Sequence, residues 1–428
     1  MFGSVRYALL DAARDTHALS LLAQLERIQF ETPQQLQDRA LMEREAYFRE
    51  LKENCSLFTK CKRFEDLPVV DKTFVNHHRA ELLNPSFRGR LVRKQTGGST
   101  RTPFVYYTGT RSQSYLWAGI LMSWRAAGYR LGEPVAFLVG PSFSGLGYAQ
   151  LIYYKLLNVR IFSAFEMDSA RLNTYSEAIS RGGFRLLYGY ASAIHLFALH
   201  LLATPKRRRF ALRAVVCTSD VLTPAMRETI EAAFGVPCFN QYGCNDAGVS
   251  AYECNHRNGF HLVTTRCYPE VLEGGRFIST DLSNYAFFLP RYDTGDLISM
   301  SDTPCHCGRG FPLIKELHGR ANDLVQDQAG NVFHHMYFMY LFRDDARITA
   351  FQVIYDVRQL TVITHCRETG CDWSQYVERI HATMVFDSIT FVENHGFVTS
   401  RNAKRRLVLR VDDVNETLQA TPVLEWAQ

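Results

Sequence analysis

From about residue 111 to residue 240 the sequence alternates helix-spaced stretches with short apolar runs, and this alternation limits the possible folds more than any other feature. Ser112 to Tyr129 carries apolar residues at helical spacing, Val135 to Gly140 reads as a strand, and Ser144 to Leu157 as a second helix. Val159 to Phe162, Arg185 to Tyr188 and Leu212 to Cys217 are further strands, with a helix over Leu172 to Gly182. Thr223 then stands at a helix cap, Pro224 at its first position and Gly235 beyond its end. Such alternation predicts an α/β domain with a largely parallel sheet. Ligands of these sheets gather at the carboxyl ends of the strands. The loops Pro141-Ser142-Phe143-Ser144, Ser219-Asp220 and Gln241-Tyr242-Gly243 fall there.

A chain of 428 residues exceeds the size at which one core stops growing, so a large domain and a smaller one are expected. The apolar fraction of 46% and charged fraction of 21% are those of a soluble globular protein. A formal charge of +5 over this length tolerates a small anionic ligand but does not track nucleic acid. The longest basic run, Lys206-Arg207-Arg208-Arg209, reads as a solvated loop. Eleven cysteines without a leader-like start predict reduced thiols, some held by metal, and a cytoplasmic protein. Ala191 to Ala203 is the most apolar stretch, but it is short for a bilayer and carries His195 and His200. It reads as a buried helix, and no membrane partner is expected.

Ahead of the alternating region, Ala18 to Arg27 and Thr32 to Asn54 are helical in spacing, with Thr32 and Pro33 at a helix start. Phe64 to Lys72 reads as a packed connector. In Lys94 to Thr108 the run Gly97-Gly98-Ser99-Thr100 resists regular structure, because glycine costs backbone entropy there. With the hydroxyls of Thr96, Ser99 and Thr100 it is either an anion-binding nest or a plain hairpin turn. The ending of a Walker A loop is missing. From Gly259 to about Asp302 shortened strands and crowded turns predict a small antiparallel sheet or distorted barrel. Beyond a boundary near Asn322 to Gln328, the pattern is that of a compact α+β unit. It has strands at Thr349 to Tyr355, Leu360 to His365 and Ile389 to Glu393, and a helix at Trp373 to Met384.

The segment from Arg291 to Arg320 holds the densest chemistry. Asp293, Gly295 and Asp296 put a tight turn beside acids, while Gly319-Arg320 follows an apolar run. Nucleotide chemistry needs an acid for ribose hydroxyls and a cation for phosphate, and both types are present. Cys305-x-Cys307 has the tight spacing of half a metal knuckle. Cys254 and His261, flanking the turn at Asn258-Gly259, would complete a closed Cys₃His site, which is structural because it keeps no open position. His256 and His306 are spare imidazoles. By spacing alone, a zinc site and four ordinary thiols and imidazoles stand level.

The elements LPVVDK, TGGSTRTP, QYGCNDAG followed by ECN and GFH, RYDTGDL, CHCGRGFP and HGRANDLV occur in this order across most of the chain. In these the chain resembles the phenylacetate–coenzyme A ligase branch of the adenylate-forming superfamily, which includes capsule-gene and F390-synthetase-like members. The resemblance implies a large N-terminal domain over 1–321, with mostly parallel sheets plus a distorted barrel, and a small mobile C-terminal α+β lid over 322–428. It implies attack of a carboxylate on ATP to give an acyl-adenylate and pyrophosphate, then transfer of the acyl group to coenzyme A.

By the same resemblance Thr96, Gly97, Gly98, Ser99 and Thr100 would cradle the β- and γ-phosphates. Tyr242 would lie against adenine, Asp246 would help hold Mg²⁺, Asp296 would accept from the ribose hydroxyls, and Arg320 would reach the ribose–phosphate side. Cys254, His261, Cys305 and Cys307 would be zinc ligands. Lys404 would meet the charge of the transferring phosphoryl group. Phe143, Tyr148 and Phe239 fall near the implied acyl pocket, and an aromatic acid is the expected substrate. Three departures stand out: Arg101-Thr102 where the family has Gly-Lys, Asn245-Asp246 where it has Thr-Glu, and no glycine before Lys404. They fit a specialised member, and leave open an amine or amino-acid acceptor in place of coenzyme A. A catalytically silent nucleotide-binding scaffold is the remaining alternative, against which Asp296, Arg320 and Lys404 argue. A monomer or homodimer is expected.

Overall fold

The computed structural model describes residues 2–96, 104–139, 148–164, 167, 169–204, 208–219, 222–320, 324–334, 336–342, 345, 347–398 and 407–411. Three helices lead: α1 (Phe2–Arg14), α2 (Ala18–Ile28) and α3 (Pro33–Asn54). Thr32 caps α3 in a reciprocal box with Gln35, with Pro33 at the first position, as the sequence predicts. A short α4 (Lys72–His77) precedes the hairpin of β1 (Val92–Thr96) and β2 (Phe104–Thr108), and α5 (Thr110–Ala126) follows. The alternating region then runs β3 (Val135–Val139), α6 (Tyr148–Leu156), β4 (Val159–Ser163), α7 (Ser169–Arg181), β5 (Leu186–Tyr190), α8 (Ala191–Ala203), β6 (Ala214–Thr218), α9 (Pro224–Phe234) and β7 (Cys238–Cys244). Shorter strands succeed it: β8 (Val249–Tyr252), β9 (Phe260–Leu262), β10 (Cys267–Val271), β11 (Arg276–Asp281), β12 (Tyr292–Met300) and β13 (Leu313–Arg320).

Strands β3 to β13 form one sheet in the order β10-β11-β12-β13-β9-β8-β7-β6-β5-β3-β4. Pairing is parallel from β4 to β7 and antiparallel from β7 onward. Strands β3, β5 and β6 are buried along their whole length, as parallel strands covered on both faces must be. The expected antiparallel region is therefore hydrogen-bonded edge to edge with the parallel one, and β7 is where the two meet.

That junction corrects one expectation. Gln241, Tyr242 and Gly243 are not a loop, because β8 pairs with them and extends β7 to Cys244. They still lie at the carboxyl end of the strand. Helix α9 matches its reading closely: Thr223 accepts from Met226 N–H, and Gly235 ends the helix at φ 68°. Among the described residues no helix is long and apolar enough to cross a membrane. The apolar α8 instead buries Ile194, Phe197 and Ala198 in the core.

The C-terminal part begins with a hairpin of β14 (Leu324–Gln326) and β15 (Val332–His334), then α10 (Met336–Phe342). A four-stranded sheet follows, built from β16 (Ile348–Tyr355), β17 (Gln359–Cys366), β18 (Ser388–Glu393) and β19 (Val408–Arg410), with α11 (Ser374–His381) between β17 and β18. Val325, Phe338, Phe342, Val353, Tyr376 and Ile380 give it a core of its own. It meets α9 through Thr223 Oγ1, which donates to the Thr349 carbonyl at 3.1 Å, and through Arg367 and Glu228 at 2.7 Å.

Candidate active site and metal centre

The nucleotide candidates gather where the ends of β7 and β13 meet the middle of β12. Asp296 of β12 and Arg320 of β13 are cross-strand partners, although 24 positions separate them in sequence. The tight turn expected before Asp296 is instead a bulge within β12, and it is locked locally. Gly295, at φ 72°, donates to Asp293 Oδ1 at 2.9 Å, and Asp296 N–H donates to Thr294 Oγ1 at 3.1 Å. Thr294 in turn donates to the Phe277 carbonyl at 2.7 Å. Upstream, Val70 of the LPVVDK segment accepts from Asp293 N–H at 2.8 Å and donates to the Arg291 carbonyl at 3.1 Å. Arg291 reaches back to the Leu67 carbonyl at 2.6 Å and pairs with Glu270 at 3.0 Å. The early motif is thus part of the scaffold of the later one.

Two tyrosines cross between the acidic motifs. Tyr242 donates to Asp296 Oδ2 at 2.6 Å, and Tyr292 donates to Asp246 Oδ2 at 3.0 Å. Cys244 Sγ donates to the other oxygen of Asp246 at 3.0 Å. Burial, and next the facing carboxylate, push both tyrosine hydroxyls well above their ordinary pKa, so they remain protonated donors. Tyr292 is fully buried and its ring stacks on Phe104 of β2 at 5.8 Å, which ties the β1–β2 hairpin to this corner. Asp246 is 7% exposed. A carboxylate offers about four lone-pair positions, and Cys244 and Tyr292 use two, so Asp246 keeps capacity for a cation.

The second centre lies at the opposite end of β13. The ligand atoms of Cys254, His261, Cys305 and Cys307 all lie within 4.8 Å of one another. Cys254 Sγ is 3.6 Å from Cys305 Sγ, and Cys307 Sγ is 3.3 Å from His261 Nε2. A tetrahedral site with bonds of about 2.3 Å to sulfur and about 2.0 Å to nitrogen has edges of roughly 3.5–3.8 Å, so these residues fit zinc. Burial, then the nearby Arg309 charge, lower the pKa of His261 to about 4, which keeps its imidazole neutral. For Cys307 burial acts upward, but hydrogen bonds from Arg309 outweigh it and lower the thiol. His256 and His306 are not among the gathered ligands.

This knuckle also docks the N-terminal helices. Gly310 N–H donates to the Gln29 carbonyl at 2.8 Å, and a side chain at Gly310 would land on the Glu31 carbonyl. Gln29 Oε1 accepts from Arg309 Nε at 2.7 Å and from the buried Tyr252 hydroxyl at 2.8 Å.

No family model matches the chain. It is similar to protein CapK of Staphylococcus aureus, 23% identical over 61% of this chain and 60% of CapK. It is also similar to the phenylacetate–coenzyme A ligase of Thermus thermophilus, 30% identical over 29% of this chain and 31% of that enzyme. The matches therefore span less than two thirds of either relative. Among solved structures, 2-hydroxyisobutyryl-CoA ligase in its postadenylation state superposes with a TM-score of 0.66 at 16% identity, over 89% of this chain and 92% of that one. The chain shares the fold of that ligase.

Within this fold the remaining candidates are distributed unevenly. Thr96 ends β1 and Tyr148 begins α6, and their side chains are outside the described residues, as is that of Arg320. Gly97, Gly98, Ser99, Thr100, Phe143, Asp220 and Lys404 also lie outside them. Ser219 follows β6 with φ 70°, a left-handed backbone rare for a residue with a side chain and typical of constrained sites. Phe239 is 5% exposed inside the main core, in register with Val216.

Sequence reasoning passed over Tyr292, Cys244 and Arg266. Arg266 is 1% exposed, donates to Ser250 Oγ and the Val249 carbonyl, and reaches Asn245 Oδ1 at 3.5 Å. Tyr292 and Cys244 stand inside the quoted motifs, but only tertiary pairing shows which acid each serves.

Proposed function

We propose that the chain activates a carboxylic acid, most readily an aromatic one, with ATP and then passes the acyl group to coenzyme A. The acid's carboxylate oxygen attacks the α-phosphorus, and pyrophosphate leaves. The thiol sulfur of coenzyme A then attacks the acyl carbon, loses its proton, and AMP leaves. The observation that carries this reading is the convergence of Asp246, Asp296 and Arg320 through β7, β12 and β13. Asp296 takes the ribose hydroxyls and Arg320 the ribose–phosphate side. Tyr242 lies against adenine beside Ser219, Asp220, Gln241 and Gly243, and residues 96–100 hold the terminal phosphates. Asp246 holds Mg²⁺, which when bound neutralises phosphate charge. Residues 1–321 bind nucleotide and acid, the latter near Phe143, Tyr148 and Phe239, and residues 322–428 act as the lid. Zinc on Cys254, His261, Cys305 and Cys307 is structural.

The chain's resemblance to the coenzyme A ligase branch supports the thiol acceptor. The shortened acid Asp246 beside Asn245 favours, as the second reading, an amine acceptor after the same adenylation. Pyrophosphate release measured over a panel of acids, with coenzyme A, with amines and with neither, separates the two readings. Release with no acid in the panel would overturn both. Lys404, carried on the lid, meets the α-phosphoryl charge in the first step. Lys404→Ala is expected to slow adenylation roughly a hundredfold while leaving ATP binding intact. Supplied with preformed acyl-adenylate, the variant should transfer normally; equal failure with both substrates would remove the role.

A further inference from the structure

The two tyrosine–carboxylate hydrogen bonds are reciprocal. Tyr242 lends its hydroxyl to Asp296 of β12, and Tyr292 at the start of that strand lends its hydroxyl back to Asp246. Neither tyrosine serves the acid of its own motif. Each donor is buried, with Tyr242 7% and Tyr292 0% exposed, so neither hydroxyl is held by solvent. Tyr292 is fixed further by its stack on Phe104 and by backbone pairing of its strand with Val70. Cys244 closes on the remaining oxygen of Asp246, which leaves that carboxylate one orientation.

We infer that Tyr242 and Tyr292 are crossed positioning residues, Tyr242 aiming Asp296 at the ribose and Tyr292 aiming Asp246 at the nucleotide-bound cation. The inference rests on the roles proposed above for the two acids. An aspartate has a shorter reach than the family's glutamate, and a carboxylate on a short arm depends more on being pointed correctly. The Tyr292 and Cys244 donors supply that direction. A single pair of segments thereby carries both functions, yet each hydroxyl controls only one of them.

The test is calorimetric titration of the full chain with two probes: AMP without divalent cation, and ATP at graded Mg²⁺. Phenylalanine keeps each ring and removes only the donor. Tyr242→Phe is expected to weaken AMP about tenfold, the weight of a hydrogen bond to an ionised group, and to leave the Mg²⁺ midpoint for ATP binding unchanged. Tyr292→Phe is expected to raise that Mg²⁺ midpoint about tenfold while AMP affinity holds. Cys244→Ala should shift the Mg²⁺ midpoint in the same direction by less, and stands in if Tyr292→Phe is not recovered folded. A merely structural role would lower the unfolding midpoint of both variants without this exchange of effects. Equal losses with both probes, or none, would overturn the inference. Asp296→Ala and Asp246→Asn separate the two levels. If they leave AMP affinity and the Mg²⁺ midpoint untouched, the proposed acid roles fail. If they alone shift them, only the crossed positioning fails.

Discussion

The two ends of β13 contrast sharply. At one end Leu313 pairs with His261, and three thiols and an imidazole close on a point with no open position. At the other, roughly 20 Å along the strand at about 3.3 Å per residue, Arg320 pairs with Asp296, whose carboxylate accepts from the Tyr242 hydroxyl. The first end is assembled from soft ligands, drawn in by turns at Asn258-Gly259 and around Cys305–Cys307. Zinc held there, as proposed above, would supply binding energy to the fold. The second places acids in partly buried ground, which costs free energy unless donors meet them. On the proposed roles, the strand joins a part that stabilises to a part that binds.

The largest test of this division is loss of the metal. Cys305→Ser, or exhaustive chelation, should lower stability by more than about 3 kcal/mol, since structural zinc carries roughly 10 kcal/mol or more of folding free energy in small domains. Elemental analysis should find about one zinc per chain in untreated protein. Folded, metal-free protein with an unchanged denaturant midpoint would remove the assignment. At the other end, Asp296→Ala should keep the zinc and the fold but weaken ATP by roughly 10- to 100-fold, the range for hydrogen bonds to a charged group. Unchanged ATP affinity in direct titration would move the nucleotide site elsewhere.

What was legible in the sequence follows the same division between local and non-local causes. Thr32, Thr223, Pro224 and Gly235 announce their helix ends because capping is decided within one turn. The buried parallel strands are legible for a similar reason, as short apolar runs between turn residues. Gly243 misleads, since a glycine near a strand end looks like a loop until β8 is known to pair with it. Helix α10, MYFMYLF, is apolar almost throughout and offers no period to distinguish helix from strand. In the candidate site, motifs single out Asp246, Asp296 and the gathered Cys254, His261, Cys305 and Cys307. They do not single out the partners. Tyr292 and Asp246 are 46 positions apart, and Gln29 and Arg309 are 280 apart, so only tertiary packing brings them together.

Gln29 supplies the smallest and most discriminating test. Its side-chain oxygen accepts from Arg309 Nε beside the knuckle and from the Tyr252 hydroxyl, which is 1% exposed. Gln29→Ala removes that acceptor from two donors, at a cost of about 1–3 kcal/mol. Gln29→Glu keeps an oxygen at the same reach, now charged toward Arg309, and should recover most of the loss. The knuckle itself should persist, because Gln29 contributes no ligand and the Gly310 N–H bonds to its backbone carbonyl, which alanine retains. Denaturant unfolding of the alanine variant should therefore show a lowered midpoint with full zinc content and wild-type AMP affinity. If AMP affinity falls along with stability, the two ends of β13 are mechanically coupled. Docking of the N-terminal helices on the knuckle would then reach the nucleotide corner as well, and the division between a stabilising end and a binding end would not hold.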